Sequence, residues 1–92
     1  MSDKLELGMQ ALYSGNLEEA ERLLSQAIMN NPLNAEAYFH RGKARWQSNA
    51  LPAAIKDFQK TLEINPLHNQ AKVSMEMVKQ VLNFRDPNLN KP

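Results

Sequence analysis

Apolar side chains recur at intervals of three and four residues in five stretches of the chain, the spacing that places them on one face of an α-helix. Leu5, Met9 and Leu12 form the first stretch, which stops at Ser14-Gly15-Asn16. No segment alternates apolar and polar residues with the period of a β-strand. The pattern predicts an all-α protein of five helices.

Turn residues and prolines mark where the predicted helices begin and end. Asn16 is a predicted N-cap, and Glu19 three residues later fits the capping-box pattern. Proline cannot continue a helix and restricts the residue before it, so two helices are predicted to end at Asn30-Asn31-Pro32 and Asn65-Pro66. A third helix is predicted from Ala35 to about Ser48, and a fifth from about Asn69 to Phe84. Pro52 is predicted to lie in the first turn of the fourth helix, where proline is tolerated.

The same pattern of residue types occurs twice in the chain, with a separation of 34 residues. A fixed period of this length indicates one helical unit stacked on a copy of itself. The matching positions are Gly8 with Gly42, Leu17 with Leu51, Ala20 with Ala54, and Asn31-Pro32-Leu33 with Asn65-Pro66-Leu67. The sequence therefore predicts a single domain over residues 1–84, built from a first repeat at 1–34, a second at 35–68 and a final helix at about 69–84, with a flexible tail at 85–92.

The repeated glycines predict a close approach of two helices. Glycine inside a helix costs about 1 kcal/mol relative to alanine, so its recurrence at one register needs an offsetting gain. We expect Gly8 to face Ala20, and Gly42 to face Ala54, where the helices of a pair cross. The larger Leu24 and Phe58 are then expected to pack one turn further along.

These residues resemble the tetratricopeptide repeat, a family whose 34-residue unit is a pair of antiparallel helices. The first unit supplies Leu7-Gly8, Ala20, Leu24, Ala27 and Pro32, and the second supplies Tyr38, Gly42, Ala54, Phe58 and Pro66. The resemblance implies a right-handed superhelix of antiparallel helix pairs, closed by a capping helix. Departures from the family pattern are Ala11 and Arg45 at the tyrosine position, Arg41 before the second glycine, and Thr61 at the second alanine.

The resemblance also implies a binding surface, because the first helix of each unit lines the concave wall of the superhelix in this family. A partner peptide or helix with apolar anchors is expected there. The residues that match the wall are Leu5, Met9, Leu12, Tyr13, Phe39, His40, Lys43, Trp46, Gln47, Val73 and Met77. Aromatic side chains commonly dominate binding energies, so Phe39 and Trp46 are either anchors for a partner or core residues that fill the space between helices.

One ligand class of the family is excluded by the residues present. Some tetratricopeptide repeats bind the C-terminal carboxylate of chaperone peptides with a clamp of lysine, asparagine and arginine. The corresponding positions here hold Leu5, Met9, His40, Gln70 and Ser74, none of which is the clamp residue. A carboxylate-clamp chaperone peptide is therefore not expected as a partner.

Arg41 and Arg45 lie one helical turn apart and share a face. The favoured interpretation is that their methylene stems cover the edge of the core while the guanidinium groups reach water or Asp57. The alternative is contact with an anion or a phosphate.

Composition and charge narrow the range of functions. Eleven basic and ten acidic residues give a net charge of +1, which argues against a nucleic-acid partner. Without cysteine, neither a disulfide nor a thiolate zinc site is possible. The acidic residues near the N-terminus do not fit a signal peptide, and no apolar run approaches the ~18 residues of a membrane span, so a cytoplasmic protein without a membrane partner is expected.

Catalytic chemistry is not expected. His40 and His68 show no patterned carboxylate beside them and are predicted to be polar surface or groove residues, so neither a metal nor another cofactor is predicted. The leading hypothesis is an adaptor or co-chaperone-like interaction module. The alternative is a self-associating protein whose main partner is another copy, because arrays of fewer than about three repeats leave apolar faces such as Leu5 uncovered. Binding of single-stranded nucleic acid by Trp46 and Lys43 is a third, disfavoured hypothesis.

Overall fold

The computed structural model describes residues 3–85, which fold into five α-helices without a β-strand. The helices are α1 (Lys4–Tyr13), α2 (Leu17–Asn30), α3 (Ala35–Gln47), α4 (Leu51–Ile64) and α5 (Asn69–Arg85). The all-α prediction and the five helices are confirmed. The predicted tail lies outside the described residues except for Arg85, which is the last residue of α5.

Side-chain caps fix the starts of α1 and α3. The Asp3 carboxylate accepts a hydrogen bond from the Glu6 amide at 2.7 Å, and the Asn34 side chain accepts one from the Ala37 amide at 3.2 Å. Each satisfies one of the amides that a helix N-terminus leaves without an intrahelical partner. The predicted capping box at Asn16 is wrong, because Asn16 makes no side-chain cap and Glu19 accepts instead from Arg22.

The repeated glycines admit a large side chain from the paired helix. A Cβ added at Gly8 would lie 2.6 Å from Leu24 Cγ, and one added at Gly42 would lie 2.7 Å from Phe58 Cε1. The expectation that the alanines face the glycines is therefore corrected: Leu24 and Phe58 cover the glycines directly. Large side chains fit here because glycine has none of its own, which allows the helices of each pair to approach closely.

Each helix packs against the next one along the chain, and α1 also contacts α3. Two buried clusters result, one between the first repeat and α3, the other between the second repeat and α5. The first contains Leu12, Ala20, Leu24 and Ala44, and the second contains Phe39, Leu51, Ala54, Phe58, Ala71 and Val78. The core therefore runs along the stack, leaving α1, α3 and α5 side by side on one wall of the superhelix.

Candidate functional site

The wall formed by α1, α3 and α5 carries exposed apolar side chains. Tyr13 is 64% exposed, Val73 58% and Met77 49%. Burial of apolar surface drives association, so apolar side chains left in water on one wall indicate a place where a partner can gain stability. We call the exposed and half-buried side chains of this wall the groove face, comprising Leu5, Met9, Tyr13, Lys43, Gln47, Val73 and Met77.

Three residues expected on this wall are buried in the fold. Leu12 belongs to the first buried cluster, and Phe39, only 4% exposed, belongs to the second. His40 is also buried, with 5% of its surface exposed. Their side chains stabilise the stack, because neighbouring helices cover most of their surface. Of the two interpretations given for Phe39, anchor or core residue, its burial supports the core residue.

Trp46 is half-buried and packs against the core. Its ring meets the ring of Phe58 edge-on, with centroids 6.5 Å apart. Edge-to-face pairs of this kind stabilise by about 0.5–1.5 kcal/mol beyond the area they bury. Trp46 therefore lies at the border between α3 and α4, and we leave it outside the groove face.

Two open clefts lie on the wall. The first, which we call the α1 cleft, has a volume of about 320 Å³ and is lined by Asp3, Leu5, Glu6, Met9, Gln10 and Tyr13. The second, the α3–α5 cleft, has a volume of about 350 Å³ and is lined by Phe39, Lys43, Asn69, Gln70, Val73 and Ser74. Each combines apolar side chains with a few polar groups, as ligand-binding depressions commonly do.

Tyr13 and Lys43 join the two clefts. The Lys43 ammonium lies 5.2 Å from the centre of the Tyr13 ring and 5.5 Å from the centre of the Phe39 ring. Both distances are within the range in which a cation is attracted to the face of an aromatic ring. Because Tyr13 lines the first cleft and Lys43 the second, this contact connects the two clefts. We call the two clefts together the groove, and the Lys43 ammonium places a positive charge between them.

The two histidines share the carboxylate of Glu36 on α3. His68 Nε2 lies 2.7 Å from Glu36 Oε1, and His40 Nε2 lies 3.3 Å from Glu36 Oε2. The expectation of isolated surface histidines is therefore wrong: both rings are buried and a carboxylate is beside each. Glu36 precedes His40 by four residues, which places the two side chains on one helix face and is a signal that the sequence contained.

His68 also caps α5, and this fixes its tautomer. Its Nδ1 accepts a hydrogen bond from the Ala71 amide at 3.1 Å, so in the neutral ring the proton is on Nε2, which donates to Glu36. With Nε2 protonated, the ring has no lone pair left for a metal ion. Consistently, residues 3–85 contain no group of three histidine, cysteine or carboxylate side chains suited to a metal.

On the other face of α3, two arginines bind one buried carboxylate. Arg41 donates to Asp57 through Nε at 2.9 Å and Nη2 at 2.8 Å, and Arg45 donates to it through Nη1 at 3.1 Å. Arg45 also donates to Glu21 on α2 at 2.8 Å. The hydrogen bond to Asp57 holds the pKa of Arg41 above its ordinary value. Of the two expected destinations of the guanidinium groups, water or Asp57, the structure shows Asp57, and the network ties α2, α3 and α4 together.

Residues 3–85 thus form a stack of helical hairpins with a groove on one wall, the architecture of an α-helical repeat protein. The tetratricopeptide repeat family model matches residues 5–69. The chain belongs to the tetratricopeptide repeat family, whose repeats generally mediate protein–protein interaction and are typically not catalytic.

A curated relative is similar over part of its length. The chain is 27% identical over 75 residues to the DnaJ homolog subfamily C member 7 homolog of Schizosaccharomyces pombe, an alignment that covers 82% of this chain and 16% of the relative. The chain thus spans about a sixth of the length of that relative. Separately, none of the described helices is long and apolar enough to cross a membrane.

Proposed function

We propose that the protein is an interaction module that binds a partner segment along the groove face, in the manner of an adaptor or co-chaperone. The observation that carries the proposal is the exposure of Tyr13, Val73 and Met77 on the wall made by α1, α3 and α5. The DnaJ name of the curated relative supports the co-chaperone part of the proposal.

The side chains of the groove face suit a partner with apolar anchors. Met9 and Met77 are flexible and polarisable, so they can adjust to a partner surface. Tyr13 offers a large apolar area with little rotamer freedom to lose, a property common among residues that dominate binding energies. A segment laid along the groove would cover these side chains and remove their apolar surface from water.

The test is a selection of peptides from a random displayed library on three immobilised proteins. The first is the wild type and the second is a groove variant, Tyr13→Ala with Val73→Ala and Met77→Ala. The third is an edge variant, Met29→Ala with Leu33→Ala and Leu67→Ala, whose residues are exposed by 80%, 72% and 85% but lie at the ends of helices and in the turns between repeats.

Peptides that bind the wild type and the edge variant, but bind the groove variant at least roughly tenfold more weakly, would support the proposal. Circular dichroism should show equal helicity in all three proteins, because the substituted side chains are half-exposed or more. Equal binding to the groove variant, or no selected peptide at all, would contradict the proposal.

Self-association remains the second candidate function, and the exposed Leu33 and Leu67 are the observation that favours it. They occupy the same position in the two turns that join the repeats, and the side-chain oxygen of Asn31 or Asn65 accepts a hydrogen bond from each leucine amide at 3.1 Å. Two ordered turns that present leucine to water offer an apolar edge that another copy could cover.

A further inference from the structure

Lys43 is the basic residue of α3 that has no carboxylate partner within residues 3–85. Arg41 and Arg45 both bind Asp57, and the carboxylate of Glu36 is engaged by His68 and lies beside His40. Lys43 instead lies half-buried over the rings of Tyr13 and Phe39. Its ammonium thus contacts two aromatic rings and forms no ion pair with a carboxylate of the described residues.

The position of Lys43 relative to the two clefts determines where a partner would meet its charge. The ammonium lies over Tyr13, which lines the α1 cleft, and Lys43 itself lines the α3–α5 cleft. Leu5 and Met9 supply apolar side chains in the α1 cleft, whose lining also includes Asp3 and Glu6, and Val73 supplies one in the α3–α5 cleft. A segment that followed the groove would meet an apolar cleft, then a positive charge, then a second apolar cleft.

We propose that the groove selects an extended segment in which an acidic side chain lies between two apolar ones. The carboxylate pairs with the Lys43 ammonium, one apolar side chain enters the α1 cleft, and the other enters the α3–α5 cleft. This inference rests on the proposed function, and it names the chemistry of the partner. Charge complementarity is the physical basis, because opposite charges across an interface set the register of a partner and disfavour partners with a like charge.

Two other occupants fit the groove less well. In a symmetric dimer formed through the groove face, a two-fold axis near its centre would bring Lys43 toward the Lys43 of the second copy, and like charges repel. A nucleic-acid strand would need several unpaired basic groups along its backbone, whereas the arginines of α3 are already paired with carboxylates.

The experiment uses the same displayed-peptide selection with three further proteins. Lys43→Glu reverses the charge, Lys43→Met keeps the length of the side chain without the charge, and Lys56→Glu makes the same charge reversal at an exposed position on α4. Synthetic peptides from the wild-type selection are then compared with versions in which the acidic residue is replaced by glutamine, and a labelled single-stranded oligonucleotide is tested as a second probe.

We expect wild-type and Lys56→Glu proteins to enrich peptides with an acidic residue flanked by apolar ones. Lys43→Glu should enrich a basic residue there, and Lys43→Met should keep the apolar anchors without a preference for charge. The acid-to-glutamine change should weaken binding to the wild type by about fivefold and leave binding to Lys43→Met unchanged, because a partly exposed ion pair contributes modestly.

The outcomes separate this inference from the proposal on which it depends. Peptides that require the groove face but show no acidic preference, or a preference unchanged by Lys43→Glu, would overturn the inference and leave the proposed function standing. The absence of any selected peptide, or binding of the oligonucleotide alone, would overturn both.

Discussion

At the scale of the residue, the close packing of each helix pair depends on a glycine whose surroundings leave no room for a Cβ unless a neighbour moves. The ring of Phe58 is fully buried, and its Cε1, Cδ1 and Cζ atoms lie 2.7, 2.9 and 3.1 Å from where a Cβ on Gly42 would stand. A methyl group there would force the ring or the helix to move. The same is true of Gly8 against Leu24.

Gly42→Ala should therefore destabilise the protein, although alanine is the better helix former. The helix-propensity gain of about 1 kcal/mol is outweighed by overpacking, which costs about 1–3 kcal/mol and falls at the upper end here because the ring has no free space. We expect a net loss of about 2 kcal/mol in the free energy of unfolding, measured with urea. Gln59→Ala, exposed on the neighbouring helix, is the control and should change the free energy by less than about 0.5 kcal/mol. A stabilised Gly42→Ala variant would show that the ring can move aside at little cost.

His40 makes the stability depend on pH. Burial lowers the pKa of His40, the Glu36 carboxylate opposes this shift, and the charges of Lys43 and His68 add to it. In the unfolded chain the histidine pKa is about 6.5. Between that value and the lower pKa of the folded state, the unfolded state binds more protons, so stability falls as the pH falls.

We expect the free energy of unfolding to decrease below about pH 6.5, with His40 contributing at most about 1.4 kcal/mol per pH unit. Comparison with His40→Gln, which does not titrate, isolates this contribution, since the other ionisable groups are common to both proteins. Urea unfolding between neutral pH and pH 5 should show the stability advantage of the wild type over the variant shrinking as the pH falls. An advantage that grew in acid would mean that protonated His40 is stabilised by Glu36 more than it is penalised by burial.

At the scale of the element, α5 is held at its N-terminus by one side chain with two functions. His68 caps the helix through Nδ1 and binds Glu36 of α3 through Nε2. Several groove residues lie on α5, among them Val73 and Met77. The geometry of the groove therefore depends on how firmly the start of this helix is held.

The two functions of His68 can be separated by substitution. His68→Ala loses both, whereas His68→Asn retains a side chain that can cap a helix and loses the bond to Glu36. We expect His68→Ala to lower the free energy of unfolding by about 2 kcal/mol, and His68→Asn to recover about 1 kcal/mol of it. The Ala71 amide should exchange its hydrogen faster in the alanine variant. Equal stability of the two variants would show that the cap contributes nothing.

The helices and their ends could be predicted because their signals are local. The Asn31-Pro32 and Asn65-Pro66 turns end helices through the covalent geometry of proline, and the 34-residue period places both at one register. The cap by His68 could not be predicted, since histidine is not a usual capping residue and its partner on α3 is distant in sequence. Asn16 shows the converse, because it stands at the predicted N-cap position of α2 but its side chain makes no capping hydrogen bond.

At the scale of the whole molecule, the repeat predicted which helices form the wall but not how deep each side chain lies. Tyr13 and Val73 are exposed as the register suggests, whereas Leu12 and Phe39 are buried. Phe39 is covered because the rings of His68, from the turn before α5, and Phe58, from α4, pack against it with centroids 4.6 and 5.9 Å away. Such contacts depend on how three helices converge, and this information is absent from the periodicity of any one of them.

The distribution of charge on the groove face leads to a prediction for the oligomeric state. A stable symmetric interface generally buries at least about 1,200 Å² of surface, and the same patch must fit itself across a two-fold axis. Lys43 lies on the groove face beside Tyr13 and shares a cleft with Val73, so self-pairing through this face would bring two ammonium groups together. We therefore expect sedimentation equilibrium to give the mass of one chain across micromolar concentrations.

Sedimentation equilibrium of the Lys43→Met variant tests whether repulsion between Lys43 side chains keeps the wild type monomeric. Removing the ammonium leaves an apolar groove without like-charge repulsion, so this variant should associate at lower concentration than the wild type. A wild-type dimer that is lost in the edge variant would instead show that Leu33 and Leu67 form the contact between copies. That result would favour self-association through the repeat edge and would leave the groove face open for a second partner.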